Sequence, residues 1–403
     1  MKLAILSDFH LGYERFFDDA YKQASEALQS AASMADALVI PGDIFDNRTP
    51  KPEVIAQAVN IFRGLKSANW KAKLVSFDTK NPKRKTYTDL PIIAIPGTHE
   101  RRSVEEEDAV ELLNLAGLLV NVSESTAVIE KSGERVAISG IGGIAEDKLL
   151  EELRRLDPKP VPGVFNVFMF HQSIYELMQF NKDFLKLDEL PEGFDLYVDG
   201  HIHSRVETKA HGKPLLIPGS TVLTQLRKEE TEKGFFIFDT SNSTYNFVKI
   251  NARPFFNVDI DVTGKSPEEI NSAIEDGIKK SAKQGTNPVI RITLSGTIKE
   301  GFTQSDMHFN EIIKNHSQEA YIEINRTGVE DTELIRNIEG LRTGSMDNIP
   351  VKDLGLGILV ESIKNSGYDL RISPAALFEI LSSGEKNETV KKAISELLGI
   401  QQG

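Results

Sequence analysis

Short apolar runs alternate with amphipathic stretches along roughly the first 240 residues of the chain. The runs are β-branched, leucine-rich or aromatic and are bounded by Gly, Pro or Asp, which predicts buried strands. They lie at Leu3–Leu6, Ala37–Ile40, Pro91–Ile95, Val164–Phe170, Leu196–Val198 and Pro214–Ile217. Helical periodicity lies between them near residues 17–34, 52–66 and 104–116. This alternation predicts an α/β sandwich with a mostly parallel sheet core.

Two further patterns complete the predicted elements. A hairpin is expected where Thr126–Glu130 and Arg135–Ser139 are joined through Ser132 and Gly133. Beyond about residue 240 the pattern becomes that of a small α+β module. Its strands are predicted at Phe255–Val262, Val289–Leu294 and Tyr321–Ile324, with a helix from Ser266-Pro267 to about Lys280.

The last part of the chain is polar and Gly-bearing from about 327 to 350, which is typical of a linker. After it, Ser373-Pro374 opens a short helix that ends before Gly384, and Asn387 caps another that runs to about Leu398. We therefore predict three parts, at residues 1–240, 241–330 and 331–403.

Composition narrows the class of protein. The chain has 403 residues, 40% hydrophobic and 27% charged, which is typical of a globular protein. No apolar run approaches the roughly 20 residues of a membrane helix, and Asp8 and His10 interrupt any signal-peptide pattern. The absence of cysteine excludes disulfides and thiolate metal sites, and it fits a reducing, cytoplasmic environment. The net charge of −13 argues against nucleic-acid binding unless positive charge is local or cations are bound.

Acidic and imidazole residues directly follow the predicted strands. Asp8 and His10 follow the first strand, Asp43 the second and His99 the third; His171 follows Phe170, and His201 and His203 follow Asp199-Gly200. In open α/β sheets that carboxyl edge is where ligands bind. Each residue alone also has an ordinary explanation as a turn, a cap or a core histidine. Their shared placement favours one site.

The residue types indicate the chemistry of that site. Imidazole and carboxylate ligands together suit first-row divalent cations such as Mn²⁺, whereas a pure oxygen cage suits Mg²⁺ or Ca²⁺. Two cations about 3.5–4 Å apart can clamp the attacking and leaving oxygens of an in-line displacement. A phosphodiester is a substrate that such a centre would suit.

The motifs resemble those of a known family. Ser7-Asp-Phe-His-Leu-Gly12, Gly42-Asp-Ile-Phe-Asp46, Gly97-Thr-His-Glu100, His171, Gly200-His-Ile-His203 and Pro218-Gly-Ser220 resemble the motifs of calcineurin-like metallophosphoesterases. The first two, with Arg48 and Pro50, resemble the Mre/SbcD repair nucleases. The resemblance is specific over residues 1–240. It implies a four-layer metallophosphoesterase sandwich with mixed β-sheets, a small α+β capping domain and a helical C-terminal tail.

The resemblance also implies roles for the site residues. Asp8, His10 and His203 would hold one metal, and His171 and His201 the other, with Asp43 bridging. Two Mn²⁺ per chain are expected, with Mg²⁺ as the less favoured alternative. His99 would act as general acid toward the leaving oxygen. Glu100 would hold the His99 ring, or else only begin a helix.

Two positions depart from the family pattern. Thr98 stands where the family usually has an Asn that contributes an amide oxygen to the second metal. A threonine hydroxyl is shorter and a poorer ligand, so we expect the second site to need relatively high Mn²⁺. Asp46 stands where many members have His, and a carboxylate cannot donate as an imidazolium does.

Basic residues offer candidate DNA contacts. Lys80, Lys83, Arg84 and Lys85 form the densest basic run, which is either a phosphate-contacting arm or a solvated loop. Arg48, Arg101 and Arg102 lie near the motif loops and are further candidates.

The tail carries two apolar stripes at helical spacing. Leu377, Ile380 and Leu381 form one stripe, and Val390, Ile394 and Leu397 form the other. These stripes would either pack within this chain or dock on a partner. The resemblance implies that the partner is a coiled-coil ATP-binding-cassette ATPase. The chain itself has no Gly-x-x-x-x-Gly-Lys-Ser/Thr loop.

The leading interpretation is a Mn²⁺-dependent DNA phosphodiesterase that processes broken ends with an ATPase partner. The resemblance alone implies 3′→5′ exonuclease and single-strand endonuclease activity on DNA ends and single-stranded DNA, and a homodimer. One alternative keeps the enzyme class but acts on a small-molecule phosphodiester or a phosphoprotein. Another is a DNA-end scaffold with weak catalysis.

Overall fold

The computed structural model describes residues 1–81, 83–101, 106–178, 181, 183–331, 355–357, 359–360, 363 and 373–382. These fall into two compact units. The first comprises Met1–Asp261, Glu268–Leu294 and His308–Gly328, and the second comprises Val262–Pro267, Ser295–Met307 and the described residues after Gly328. Arg102, Val390, Ile394, Leu397 and the helix expected from Asn387 lie outside the described residues.

The described residues contain sixteen strands, which are numbered in chain order. They are β1 Lys2–Ile5, β2 Ala37–Pro41, β3 Lys73–Thr79, β4 Ile92–Ile95, β5 Val120–Asn121, β6 Ser125–Lys131, β7 Glu134–Gly140, β8 Phe165–Phe170, β9 Leu196–Asp199, β10 Val206–Ala210, β11 Lys213–Ile217, β12 Gly234–Asp239, β13 Thr244–Lys249, β14 Phe255–Asp261, β15 Val289–Thr297 and β16 Tyr321–Glu330.

Helices of the described residues lie between or after these strands. They are α1 Phe17–Met34, α2 Pro52–Leu65, α3 Ala109–Leu115, α4 Glu146–Leu156, α5 Tyr175–Met178, α6 Pro267–Ala282, α7 Asn310–His316 and α8 Pro374–Ser382. Of these, α1, α2, α3, α6 and α8 correspond to predicted helices, whereas α4, α5 and α7 were not predicted. In α3 the Asp108 side chain accepts a hydrogen bond from the Glu111 backbone N–H. This cap begins the helix later than the predicted residue 104.

Two large sheets form the framework. The first has the strand order β13-β12-β1-β2-β4-β5 and the second β10-β11-β9-β8-β7-β6-β3. In the first, β1, β2, β4 and β5 are parallel neighbours, whereas β12 and β13 are antiparallel. In the second, β7, β8, β9 and β11 are parallel and the remaining strands pair antiparallel. The two large sheets are therefore mixed, as the family resemblance implied, and six of their eleven strand pairings are parallel. A third sheet has the order β14-β15-β16.

The apolar faces of the two large sheets share one core. Ile5, Val39, Ile93, Ile138 and Val198 belong to a single buried cluster drawn from strands of both sheets. A second cluster packs α1, α2 and α3 on the first sheet, and a third packs α4 on the second. The result is the predicted four-layer sandwich, because each sheet buries its two faces against different partners.

The strands that were continuous apolar runs are the parallel ones in the sheet interiors. Both faces of β1, β2, β4 and β8 are buried, so their sequences lack the alternation of a surface strand. The hairpin of β6 and β7 also forms as predicted. Ser132 and Gly133 take φ values of 51° and 84°, the left-handed pair that a two-residue hairpin turn requires.

Two boundaries differ from the sequence prediction. Strand β16 continues to Glu330, so the polar stretch expected to be linker from 327 begins as strand. Strand β13 lies beyond residue 240 yet pairs with β12 in the first sheet. The predicted division into 1–240, 241–330 and 331–403 remains a prediction. Among the described residues, no helix is both long enough and apolar enough to cross a bilayer.

Candidate metal centre

The histidines and aspartates predicted at strand ends converge at one edge of the two large sheets. Asp8 and His10 follow β1, Asp43 follows β2, and His171 directly follows β8. The ligand-type atoms of Asp8, His10, Asp43 and His203 all lie within 4.8 Å of one another, and so do those of Asp43, His171 and His201. Asp43 belongs to both clusters. The structure thus brings together residues from strands of two different sheets.

The backbone at this edge is held in an uncommon conformation. Asp8, His10, Asp43 and His201 have φ values of 54°, 46°, 50° and 67°, in the left-handed region that disfavours residues with a Cβ. Such strain is of order 1–3 kcal/mol per residue and persists where the surroundings enforce it. Here it turns side chains from neighbouring loops toward one point.

In the first cluster two imidazoles face each other. Nε2 of His10 lies 3.1 Å from Nε2 of His203, and each lies 3.9 Å from Oδ1 of Asp8. The other ring nitrogens are occupied, because Nδ1 of His10 lies 3.1 Å from Oδ1 of Asp46 and Nδ1 of His203 lies 2.6 Å from Oγ1 of Thr224. Asp46 therefore orients His10. Asp46, which stands where many family members have His, thus acts here as a hydrogen-bond acceptor.

In the second cluster His171 points at Asp43. Nδ1 of His171 donates to the Pro41 carbonyl at 2.7 Å, and its Nε2 lies 3.2 Å from Oδ2 of Asp43. Nε2 of His201 lies 2.9 Å from Oγ of Ser173, so its Nδ1 is the nitrogen that faces Thr98, at 3.4 Å. The Thr98 hydroxyl thus lies beside the second cluster.

Glu100 is fully buried and holds the loops together from behind. Its carboxylate accepts hydrogen bonds from the backbone N–H groups of Asp43, Phe45 and Gly97, at 3.1, 2.7 and 2.6 Å. A Cβ on Gly97 would approach Oδ1 of Asp43 to 2.1 Å, so only glycine fits there. The sequence had suggested that Glu100 holds the His99 ring or only begins a helix. Instead, Glu100 fixes the backbone of the loops.

His99 is the exposed member of the group, with 42% of its side chain accessible. Its backbone N–H donates to Oδ1 of Asp43 at 2.9 Å, and its Nδ1 donates to the Asp46 carbonyl at 2.6 Å. The His99 and His10 rings meet edge to face, with centroids 4.9 Å apart. Nε2 of His99 remains available to a molecule entering from solvent.

Burial and neighbouring charges shift the pKa values of the titratable groups in the site in different directions. Burial raises the pKa of Asp8 to about 6, whereas burial with the nearby His171 charge lowers the pKa of His201 to about 4. Burial also lowers the pKa of His203 well below its usual value. Burial opposes a charge on His171, yet Asp43 beside it raises the pKa of His171 to about 10. Two histidines are thus neutral at pH 7, the form that binds metals.

Comparison with known proteins identifies the family of the chain. The family model described as "Calcineurin-like phosphoesterase" matches residues 1–205.

The chain belongs to the calcineurin-like phosphoesterases.

It is also similar to curated archaeal proteins named "DNA double-strand break repair protein Mre11". The relative from Saccharolobus solfataricus is 24% identical over 98% of this chain and 98% of its own length. The Sulfolobus acidocaldarius protein is 27% identical over 74% and 76%, and the Archaeoglobus fulgidus protein is 25% identical over 88% and 83%. The resemblance to the Mre/SbcD group noted in the sequence therefore extends well beyond the phosphoesterase region.

The side chains of this phosphoesterase fit the divalent cations that its family implies. Oδ2 of Asp8 is buried and has no hydrogen-bond partner among the described residues, and Oδ2 of Asp43 and Nε2 of His171, which face each other at 3.2 Å, are buried without a well-aligned hydrogen bond. Buried polar atoms are rarely left unsatisfied without a reason such as a bound ion. Buried oxygen and imidazole nitrogen atoms that converge in this way are what a first-row divalent cation binds.

The predicted DNA-contacting residues divide into two groups. Arg84 forms a largely buried ion pair with Glu111 at 2.9 Å, and Lys80 donates to the Leu156 carbonyl at the end of α4. Lys83 and Lys85 are exposed. The run follows Thr79, the last residue of β3. In the second sheet Thr79 pairs with Ser125, Ser125 pairs with Gly140, and Gly140 pairs with Met169 of β8. The run therefore starts at the same sheet edge as His171, about 14 Å away across three strand spacings.

The remaining predicted residues are placed as follows. Arg48 is exposed and lines a cavity that also includes His99, and Arg101 is partly exposed. In the tail, Leu377 and Ile380 are partly buried in α8 and Leu381 is 52% exposed.

Sequence reasoning missed the acidic and basic groups that lie under the ligands. Asp199 is fully buried and its Oδ1 accepts from the Gln172 N–H at 3.0 Å, next to His171. Glu230 and Lys233 are buried beneath His203. Burial lowers the pKa of Lys233 to about 8 despite the Glu230 carboxylate. The sequence signal for this buried group was Lys233 itself, which directly precedes the apolar start of β12.

Replacing Glu100 tests whether it holds the loops. Glu100→Ala leaves three buried N–H groups without an acceptor and should lower the free energy of unfolding by about 2–4 kcal/mol. Urea unfolding of the metal-free chain measures this, with the exposed Glu192→Ala as the matched control. A loss no greater than that of the control would show that the loops hold their shape without Glu100.

Proposed function

We propose that this phosphoesterase is a Mn²⁺-dependent DNA phosphodiesterase that processes broken DNA ends, with 3′→5′ exonuclease and single-strand endonuclease activity. The observation that carries the proposal is the pair of ligand clusters that share Asp43. The relatives named as double-strand break repair proteins, one of them similar over 98% of the chain, support DNA as substrate. The polarity and the two cleavage modes rest on the family resemblance.

In this proposal each ligand cluster holds one cation. Asp8, His10 and His203 would hold the first, His171 and His201 would hold the second beside Thr98, and Asp43 would serve both. When bound, the two cations neutralise phosphate charge and make water a better nucleophile at neutral pH. The poor ligand at Thr98 makes the second site the weaker one.

The protein's own proton donor is His99. Its Nδ1 is engaged by the Asp46 carbonyl, so the exposed Nε2 is the atom that can give a proton to the leaving oxygen. The backbone contact from His99 to Asp43 couples the donor's position to the carboxylate shared by both clusters. Asp46 therefore fixes two histidines, His10 through its carboxylate and His99 through its carbonyl.

A cavity beside His99 supports a nucleotide substrate. It has a volume of about 730 Å³ and is lined by Thr98 and His99 on the side of the metal centre. Its floor contains the buried apolar side chains Leu11 and Val54, and its rim contains Arg48, Lys51 and other polar residues. Glu14 and Asp46 also line the cavity and balance these two charges, so the support for a nucleotide comes from the apolar floor, which suits a base or sugar beside the metal centre.

Removing the proton donor tests the reaction. His99→Ala should lower kcat for end-labelled DNA about 10²- to 10⁴-fold, because the leaving oxygen must then depart unprotonated. Mn²⁺ binding measured by calorimetry should be unchanged, and exposed His308→Ala is the control.

The same assay separates the alternatives. A wild-type chain that hydrolyses nitrophenyl phosphates but leaves labelled DNA intact would favour the small-molecule enzyme. DNA binding without cleavage at any Mn²⁺ concentration would favour the scaffold. Undiminished cleavage by His99→Ala would remove that residue from the reaction.

We also propose that Lys83 and Lys85 contact DNA phosphate. They are exposed, whereas Arg84 and Lys80 of the same run are engaged within the protein. The run begins at the sheet edge that carries the ligand clusters, so positive charge lies locally near the centre despite the net charge of −13. Arg48, Arg101 and Arg102 remain further candidates.

Charge removal measures this contact. Lys83→Ala with Lys85→Ala should weaken DNA binding and reduce the slope of log K against log salt by about 2. Each phosphate contact releases about one counterion from DNA, and the double variant loses two such contacts. Lys71→Ala with Lys73→Ala removes the same charge from the opposite end of β3 and should change neither quantity. Equal behaviour of the two double variants would show that the arm does not touch DNA.

A homodimer is the proposed assembly, and α3 supports it. Leu112 and Leu115 are 47% and 46% exposed, and they lie three residues apart on one helical face. Exposed large apolar side chains grouped on one helix favour burial by another protein surface.

Charged substitutions on this face test the assembly. Leu112→Asp with Leu115→Asp should convert a dimer to a monomer in light scattering, because burying two carboxylates is strongly unfavourable. Met34→Asp introduces the same charge at another exposed apolar position, 43% accessible, and should leave the dimer intact. A double variant that stays dimeric would place the interface elsewhere.

The tail is proposed to bind a coiled-coil ATP-binding-cassette ATPase. The family resemblance supplies the partner, and the relatives are named as repair proteins. Within the described residues, α8 presents Leu381 to solvent beside the partly buried Leu377 and Ile380. Val390, Ile394 and Leu397, which lie outside the described residues, remain candidate contacts from the sequence. Binding of ATP is assigned to the partner, since this chain has no phosphate-binding loop of that kind.

A further inference from the structure

A buried chain of polar groups leads away from the metal centre behind His203. Nδ1 of His203 lies 2.6 Å from Oγ1 of Thr224, and that oxygen lies 3.1 Å from Oε2 of Glu230. Oε2 of Glu230 lies 3.5 Å from Nζ of Lys233. Glu230 and Lys233 are only 1% and 3% exposed. A buried ion pair this close to a ligand needs a reason, because desolvating two charges is costly.

The direction of the hydrogen bonds in this series of polar groups is set by Glu230. The Glu230 carboxylate can only accept, and it also accepts from the backbone N–H groups of Thr224 and Gln225, at 2.9 and 3.1 Å. The Thr224 hydroxyl therefore donates to Glu230 and offers its lone pair to His203. His203 must then carry its proton on Nδ1. This leaves the lone pair of Nε2 facing His10 and Asp8.

Lys233 fixes the same loop from the other side. Its ammonium donates to Oγ of Ser220 at 2.7 Å and to the His203 carbonyl at 3.3 Å. It thus connects the Gly200-His-Ile-His203 loop, the Pro218-Gly-Ser220 loop and Glu230. The charge that compensates Glu230 also holds the backbone of the ligand.

We propose that Thr224, Glu230 and Lys233 form a positioning relay that selects the Nδ1–H tautomer of His203 and aims its Nε2 at the first cation. The relay rests on the proposed function only in taking His203 as a ligand. Groups that orient a ligating histidine change metal affinity or activity about 10- to 100-fold when removed. His171, whose Nδ1 donates to the Pro41 carbonyl, lies outside the relay and provides an internal comparison.

The test uses the full chain with isosteric changes at Thr224. Thr224→Val keeps the shape but removes the hydroxyl, and Thr224→Ser restores the hydroxyl. In Mn²⁺ titrations followed by electron paramagnetic resonance, Thr224→Val should weaken one binding event about 10- to 100-fold and leave the other unchanged. Thr224→Ser should return to the wild-type affinities.

A second measurement does not depend on metal. Long-range ¹H–¹⁵N spectra of the metal-free chain should show His203 protonated on Nδ1, assigned by the missing signal in His203→Gln. In Thr224→Val the proton should move toward Nε2, and in Thr224→Ser it should stay on Nδ1. Urea unfolding of each variant confirms that the loop has folded.

A double variant addresses the ion pair. Glu230→Gln with Lys233→Met removes both charges without leaving one buried alone, and should weaken the same binding event by a smaller factor than Thr224→Val.

The outcomes separate the relay from the proposed function. Unchanged affinities and an unchanged tautomer in Thr224→Val would overturn the relay, and so would an equal weakening of both events with the tautomer retained. A wild-type chain that binds no Mn²⁺ or does not cleave DNA would refute the proposed function. The tautomer measurement would still decide on the relay.

Discussion

The carboxylate of Asp43 is the constraint on which the site depends. Its Oδ1 accepts the backbone N–H of His99, and its Oδ2 faces Nε2 of His171 from the other sheet. One residue thus joins the loop after β4, the loop after β2 and the end of β8. Burial favours a neutral acid at this position, but the neighbouring His171 lowers the pKa of Asp43 below its usual value. Negative charge is therefore retained in the interior, where an attracted cation is weakly screened. The layers of the sandwich matter to function because they fix the two sheets on which Asp43 and His171 stand.

Around this carboxylate, four of the five histidines are each oriented by their own acceptor. His10 is held by a carboxylate, His99 and His171 by backbone carbonyls, and His203 by a threonine hydroxyl. Fixing one ring nitrogen defines which atom the other end of the ring presents. The site is therefore built from the backbone as much as from its ligands. Glu100 extends the same logic, because its three acceptor contacts fix loops and none reaches a ligand side chain.

The sequence was informative wherever local pattern determines structure. Buried parallel strands such as β1 and β8 are continuous apolar runs, and the ligands follow them directly, so strand ends predicted the site. Partners distant along the chain were not predictable in this way. Arg84 looked like part of a basic arm, yet it is paired with Glu111, and no local pattern encodes a contact 27 residues away. Glu230 and Lys233 resemble surface residues in a charged stretch, and only the tertiary structure buries them against His203.

The left-handed backbone at Asp8, His10, Asp43 and His201 has a consequence for the lifetime of the protein. These four conformations oppose folding, each at the low end of roughly 1–3 kcal/mol, because Asp and His adopt them more readily than most other residues. Ligand binding to the folded state alone offsets such a cost by mass action. A chain starved of divalent ions should therefore open locally at these loops and become a substrate for proteases. Metal supply would then set how much of the protein persists in a cell, and not only how fast each copy works.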